Sequence, residues 1–497
     1  MHNAVIAKSA LSVAGLALAV QFPSAAGAAP TYRPTGAAAL RTLPAQHAAR
    51  NRHGRRHAAA QSPFQHVIVI VQENRTVDNL FQFFPGANTL ANEEGTIAPY
   101  ATIDGTNYPL AAQNINVPFD PGHSHGSFVK EFDNGQSDGW AADGYSCPAK
   151  NPGLDCKNYG ANDIAYVNQS SVQPYYDIGN QFILADEAFQ ANEGPSFPAH
   201  QYLIAAQSGG AQAASTWGYS ENNAQNGNYS CSNKSKTFVR INMTTPYPGV
   251  EGSTTTPCGN YTTIMDELDQ AGLSWKYYTH SLTSLWAAPM SISHIYGGAD
   301  AAKVVSPETS VLTDIANCNL PAVSFVTPAM VNSDHPYGTT AAGPYWPASI
   351  VNAIGASGPS SCNYWQNTAV IVTWDDWGGW YDSAPPVPQN VTDPWAGDPY
   401  EYGYRTPMLI VSAYDTPQTQ NSQFPHVDHT VRTNMSILHF IEDLYGISQL
   451  TALDATSDDL FGDFCFTCQP NGFTPINMNG YTFAGKYFRD PRPDIDG

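Results

Sequence analysis

His66-Val67-Ile68-Val69-Ile70-Val71-Gln72 is a β-branched run that leads without a spacer into Glu73-Asn74-Arg75-Thr76-Val77-Asp78. Side chains branched at Cβ are stiff and pack well on a pleated surface. An apolar run with no polar alternation suits a strand buried on both faces. Pro321 to Thr327, Thr368 to Trp374 and Pro407 to Ser412 have the same character, and Phe182 to Ala185 is a shorter version. Helical patterns lie between them. Tyr261 to Gly272 sets Ile264, Met265, Leu268 and Ala271 on one face, with Gly272 as a stop. His429 to Tyr445 does the same with Met435, Leu438, Ile441, Leu444 and Tyr445, and residues 199–207 read as a further helix. Strands alternating with helices predict an α/β fold, a mainly parallel sheet sandwiched by helices. The polar stretches 87–160 and 208–258 read as long loop insertions over it. In such sheets ligands gather outside the carboxyl ends of the strands. The residues after each strand are therefore the informative ones.

Glu73-Asn74 follows the first strand. A carboxylate beside a carboxamide supplies oxygen ligands to a hard divalent cation, and Asn equally suits a helix N-cap. Trp374-Asp375-Asp376-Trp377-Gly378-Gly379-Trp380-Tyr381-Asp382 follows the strand at 368–374. Two adjacent carboxylates repel unless a cation or protons intervene, so the segment is either a metal-binding turn or an acidic one. Gly194-Pro195-Ser196-Phe197-Pro198-Ala199-His200 precedes the helix at 199–207. There Ser196 is either the N-cap or a nucleophile at a helix end that favours phosphoryl groups. Asp334-His335-Pro336, Asp428-His429-Thr430 and Asp120-Pro121-Gly122-His123 are Asp-His combinations that orient an imidazole for proton transfer or ligation, or form turns.

These motifs, in this order, resemble the phosphoesterase family of bacterial phospholipases C and AcpA-type acid phosphatases, within the alkaline-phosphatase-like superfamily. Leu268 to Tyr278 and Gly403-Tyr404-Arg405-Thr406-Pro407 are similar too, and the match covers residues 63–446. The resemblance implies an alkaline-phosphatase-like α/β fold. It implies a divalent metal ion held by Glu73, Asn74, Asp375 and Asp376, and Ser196 as nucleophile. His335 would stabilise the transferred phosphoryl group or protonate the leaving oxygen. His429 would be a second catalytic histidine, and His123, Asp334 and Asp428 would line the substrate pocket. Two positions depart from the family. Pro-Asn-Arg is common after the nucleophile where this chain has Pro198-Ala199-His200, and Tyr-Asp-His is common where it has Tyr381-Asp382-Ser383. A sulfatase-type Cys/Ser-x-Pro-x-Arg signature is absent around Ser196.

The implied function is a phosphoesterase of phospholipase C type, with an acid phosphatase acting on soluble monoesters as the alternative. An inactive extracellular binding protein on the same scaffold is the alternative of another class. Oxygen ligands suit calcium, magnesium or manganese, whereas histidine participation favours zinc or iron. Trp286, Trp346, Trp377 and Trp380 are candidates for meeting lipid or for packing.

Composition sets the surroundings. Lys8, the apolar Ala10 to Val20 and the small-residue run Ser24 to Pro30 read as a signal peptide over 1–28, giving a secreted protein, extracellular or periplasmic. A basic Ala/Pro-rich linker follows over 29–62, a catalytic domain over 63–450, and an extension over 451–497 packed on it. No later apolar stretch is long enough to span a bilayer, so the expected partners are a phospholipid or small phosphate ester, with transient membrane-surface contact at most. Residues 1–60 hold seven Lys/Arg and no acid, leaving 14 basic against 42 acidic residues in the remainder, net −28. Such a body is not drawn to nucleic acid. Eight cysteines suit disulfides in an exported chain. Pairing of sequence neighbours, 147–156, 231–258, 318–362 and 465–468, is the simplest arrangement.

Overall fold

The run at the centre of the sequence pattern is also near the centre of the molecule. In the computed structural model, β1 (His66–Gln72) belongs to an eight-stranded sheet with β2 (Ile183–Ala185), β3 (Trp275–Tyr278), β4 (Val304–Val305), β5 (Val323–Val326), β6 (Thr368–Trp374), β7 (Met408–Val411) and β8 (Val427–Asp428). The structure describes residues 62–483, apart from 141–144, 147–162, 210–217, 221–228, 234–237, 243–249, 337–339, 359, 388–401, 417–423 and 425. The expected signal peptide, nearly all of the linker, and the 147–156 pair lie outside the described residues.

The spatial order is β4-β3-β5-β1-β6-β7-β2-β8. All neighbours are parallel except that β7 runs antiparallel to both β6 and β2. Successive side chains of β1 go to opposite faces, as the pleat requires. Val67, Val69 and Val71 join Ile371 in a core with Tyr202 and Leu203 of α2 (Ser196–Ala205), Met265 and Leu268 of α3 (Ile264–Gln270), and Ile437 and Phe440 of α5 (Ser436–Tyr445). Ile68 and Ile70 join Val370 and Val372 in the opposite core with Tyr175 and Ile178 of α1 (Gln173–Gln181) and Ile350 and Ile354 of α4 (Tyr345–Gly355). The sandwiched, mostly parallel α/β sheet is therefore as expected.

Two readings need correction. The late helix starts at Ser436, not His429. Asp428 is paired with Ala185, and Arg432-Thr433 with Ala188-Phe189, so non-local strand pairing overrides the helical pattern there. The insertions are also not all loop. Tyr100–Ile103 and Thr106–Pro109 form a hairpin through Asp104-Gly105, both with positive φ, and Gly218–Ser220, Phe238–Asn242 and Val250–Thr255 form a three-stranded sheet. A two-residue Asp-Gly loop is a strong hairpin signal.

Leu453, Leu460, Phe461 and Phe464 pack into the first core, and Ile476 and Phe483 into the second. Cys231–Cys258, Cys318–Cys362 and Cys465–Cys468 are bonded, and no cysteine is free among the described residues. No helix among these residues is long and apolar enough to cross a membrane.

Candidate active site

Parallel pairing of β1 with β6 sets Gln72 opposite Trp374. Glu73 and Asp375 therefore leave the sheet side by side, and three hydrogen bonds lock the two exits together. Asp375 N donates to Gln72 O at 3.0 Å, Arg75 N to Asp376 O at 3.0 Å, and Asn74 N to Asp375 Oδ1 at 3.0 Å. Asn74 takes φ +61°, a left-handed conformation that Asn tolerates better than most residues. Gly378, itself at φ +62°, lies against it, and a Cβ there would sit 2.4 Å from Asn74 O. Glycine is thus required for the second acidic segment to fold over Asn74. Gly378 N also donates to Asp376 Oδ1 at 2.7 Å, which leaves Asp376 Oδ2 to face Ser196.

Ser196 is the first residue of α2, and Pro195 holds the N-cap position, so the N-cap reading is not met. The preceding turn is pinned at Gly194 O, which accepts from Gln190 Nε2 at 2.6 Å and Asn192 Nδ2 at 3.1 Å. Ser196 Oγ lies 3.0 Å from Asp376 Oδ2, 3.2 Å from Glu73 Oε2 and 3.2 Å from Asn74 Oδ1. One hydroxyl hydrogen serves one acceptor at a time. Three acceptors around it, all fully buried, form an arrangement that a cation stabilises and its absence leaves repulsive. Asp375 Oδ2 is likewise buried and accepts no hydrogen bond among the described residues. The donor set of carboxylates and one carboxamide fits a divalent ion.

On the other side of Asn74, its Nδ2 donates to His123 Nε2 at 3.0 Å, while His123 Nδ1 donates to Pro121 O at 2.8 Å. His335 Nδ1 donates to Pro336 O at 2.7 Å. Asp120, His123 and His335 each bring a ligand atom within 4.8 Å of the others. The Asn74 carboxamide thus joins an imidazole-rich wall to the carboxylate wall, with its oxygen on Ser196.

The family model described as Phosphoesterase family matches residues 64–448. The chain belongs to that family. It is accordingly a phosphoric ester hydrolase. The phosphoesterase is 24% identical over 469 residues to phospholipase C B of Mycobacterium tuberculosis, covering 83% of this chain and 79% of that one. It is 24% identical to a non-hemolytic phospholipase C of Burkholderia pseudomallei, over 83% of this chain and 60% of that one. It is 22% identical to non-specific phospholipase C1 of Arabidopsis thaliana, over 74% and 65%.

In the phosphoesterase the expected residues do not all meet. Glu73, Asn74, Ser196, Asp375, Asp376, His123 and His335 converge. Asp334 is turned elsewhere. Its Oδ2 accepts from Tyr175 Oη at 2.7 Å and Trp374 Nε1 at 2.9 Å, and its backbone O accepts from Arg75 Nε at 2.9 Å. Burial pushes its carboxyl up to about 6 against those donors. Through these bonds Asp334 holds the loop that carries His335. Asp428 is held by Arg432 and by Thr430 Oγ1 at 2.8 Å. His429 Nδ1 donates to Asp186 Oδ1 at 2.9 Å, and that bond raises its pKa. Non-local partners decide these two sites, and local sequence does not reveal them.

One residue quoted above only as a departure from the family also joins the cluster. His200 lies one helical turn after Ser196 and is buried, with Nε2 3.0 Å from Glu73 Oε1 and 3.7 Å from Asp375 Oδ2. The i, i+4 spacing is the signal that points to it. The four tryptophans considered for lipid contact, Trp286, Trp346, Trp377 and Trp380, are all fully buried, so they pack the interior.

Proposed function

We propose that the chain is an exported, phospholipase C-like phosphoesterase that works through a phosphoserine at Ser196. The observation that carries this reading is the Ser196 hydroxyl at the first residue of a ten-residue helix, 3.0–3.2 Å from oxygens of Asp376, Glu73 and Asn74. Asp376 Oδ2 receives the hydroxyl proton as Oγ attacks phosphorus. The Oγ–P bond forms, the bond from phosphorus to the alcohol oxygen breaks, and the alcohol leaves with a proton from His335. Amide groups of the first turn of α2 favour the anionic phosphoryl group. His123 holds the Asn74 carboxamide so that its Oδ1 faces Ser196. Water then attacks the phosphoserine, giving a proton to His335, while Asp376 returns the proton to Ser196 Oγ. Glu73, Asn74, Asp375 and Asp376 would hold a divalent cation, which when bound supplies the charge that offsets three buried carboxylates and an anionic ester.

The phospholipase C names of the relatives support a phospholipid substrate cleaved on the glycerol side of phosphate. Phosphatidylcholine is expected to yield diacylglycerol and a phosphorylated headgroup with kcat/KM at least about tenfold above that for a small aryl phosphate. The reverse order would return the acid-phosphatase alternative. Prolonged dialysis against a chelator is expected to lower turnover by about 100-fold or more, with recovery on adding a divalent ion. Full activity in the metal-free protein would remove the cation from the reading.

Three disulfides among the described residues support an oxidising destination. Expression in a secreting bacterial host should give an extracellular or periplasmic product whose sequence begins near Ala29. An intact Met1 on the exported protein would overturn the signal-peptide assignment. The catalytic domain is proposed to run over 63–450, with 451–497 as its packed extension.

A further inference from the structure

We infer that His200 is a nitrogen ligand of the Glu73–Asp375 cation site, so that this chain takes an imidazole-accepting transition ion, such as zinc, in preference to magnesium or calcium. The inference rests on the metal reading above and adds a ligand, and a metal class, that the oxygen set alone does not specify.

The geometry is that of donors spread around one point. Glu73, His200 and Asp375 each offer an atom within 4.8 Å of the others, and all three are buried. Ligand atoms at about 2.0–2.2 Å from a common ion stand about 3–4 Å apart at tetrahedral or octahedral angles. His200 Nε2 lies 3.0 Å from Glu73 Oε1 and 3.7 Å from Asp375 Oδ2. Ser196 Oγ lies 3.0–3.2 Å from Asp376, Glu73 and Asn74. Because α2 begins at Ser196, hydroxyl and imidazole project from the same helix face, one turn apart.

The competing account gives a protonated His200 a hydrogen bond to Glu73 and a looser ion pair, at 3.7 Å, with Asp375 Oδ2. It leaves Asp375 Oδ2 buried without a hydrogen-bond partner among the described residues, a costly state for a charged oxygen. A shared ion satisfies Asp375, Glu73 and His200 together. The residue type matters as well. Calcium and magnesium prefer all-oxygen shells, while imidazole suits zinc, iron and their neighbours. A neutral His200 donates a lone pair and brings no fixed positive charge, so the carboxylates beside it depend on a bound ion.

The test uses the full mature protein, stripped by chelation and dialysis, then given one equivalent of zinc. X-ray absorption reads imidazole scattering around zinc, and titration calorimetry reads zinc and magnesium affinities. The unsubstituted protein and His123→Gln are expected to show zinc-bound imidazole, and His200→Gln to lose it. In His200→Gln zinc affinity should fall at least about tenfold, while magnesium affinity changes by less than about threefold. An all-oxygen zinc shell, or an imidazole signal lost in His123→Gln or His335→Gln instead, would overturn the inference and leave the metal reading standing. Failure of the stripped protein to bind either ion would overturn both. If His200→Gln does not fold, survival of the imidazole signal in both His123→Gln and His335→Gln supports the inference, because His200 is the one histidine in the Glu73 group. Its loss in either overturns it.

Discussion

Ser196→Ala is expected to lower kcat on phosphatidylcholine by about 10⁴-fold or more, the scale seen when a covalent nucleophile is removed from a serine-dependent site. The substitution takes away a single oxygen. It leaves Glu73, Asn74, Asp375, Asp376 and His200 in place, and alanine is a good residue for a helical position. The thermal midpoint and bound metal should therefore match the unsubstituted protein, since only the hydroxyl is removed and the candidate ligands stay in place. A second readout separates a nucleophile from a residue that merely binds. Acid-quenched unsubstituted enzyme should carry covalent phosphate on the peptide containing Ser196, and the variant none. Turnover above about one tenth of normal with unchanged metal content would remove Ser196 as the nucleophile, because no partial loss of binding mimics loss of the attacking atom. The fold and the family would be unaffected by that outcome.

The reasons that some of the site was legible in the sequence, and some not, are physical. The exits of β1 and β6 were readable because strands buried on both faces carry unbroken apolar runs, so the first polar residue marks the strand end. Parallel pairing then does the rest: Gln72 opposite Trp374 makes Glu73 and Asp375 neighbours across 302 residues of sequence. His200 was obscured by a boundary. Reading the helix as starting at residue 199 leaves Ser196 outside it, and the i, i+4 relation with His200 vanishes. With α2 starting at Ser196 the relation is explicit. Asp334, Asp428 and His429 were harder to place for another reason. Each has a side chain apt for catalysis, but its partner is Tyr175, Arg432 or Asp186, and which partner it meets depends on loop paths that carry no periodic signal. The departure at Ser383 has a structural explanation. Its hydroxyl donates to Asp78 Oδ2 at 2.6 Å, so the residue serves the ion network around Arg405.

Arg405→Ala is expected to be the most damaging substitution for stability, costing about 3–5 kcal/mol, the range for stripping the partner from buried charges. Arg405 is fully buried. Its Nε donates to Asp382 Oδ1 at 2.8 Å, its Nη2 to Asp78 Oδ2 at 3.1 Å, and its Nη1 lies 3.4 Å from Glu187 Oε1. Nη1 also donates to the backbone oxygens of Asn88 at 2.8 Å and Asp186 at 3.2 Å. Burial alone would lower the pKa of this guanidinium, yet the carboxylates of Asp382, Glu187 and Asp78 outweigh it and hold the group above its ordinary value. These carboxylates come from the segments that follow β1, β2 and β6, so one side chain ties together three of the loops that build the pocket. Alanine leaves three acids facing one another without a cation, and the net stability of a domain is only about 5–15 kcal/mol. Arg405→Lys keeps one charge but cannot make three divergent hydrogen bonds, so its loss should be intermediate. Urea unfolding midpoints at constant metal concentration give the comparison. A cost below about 1 kcal/mol for Arg405→Ala would mean that the acids are neutral or hydrated in the variant, and that this network is dispensable. The contrast with Ser196→Ala is itself diagnostic. One change should lower the midpoint sharply, and the other should stop turnover at an unchanged midpoint, which assigns Arg405 to the scaffold and Ser196 to the chemistry.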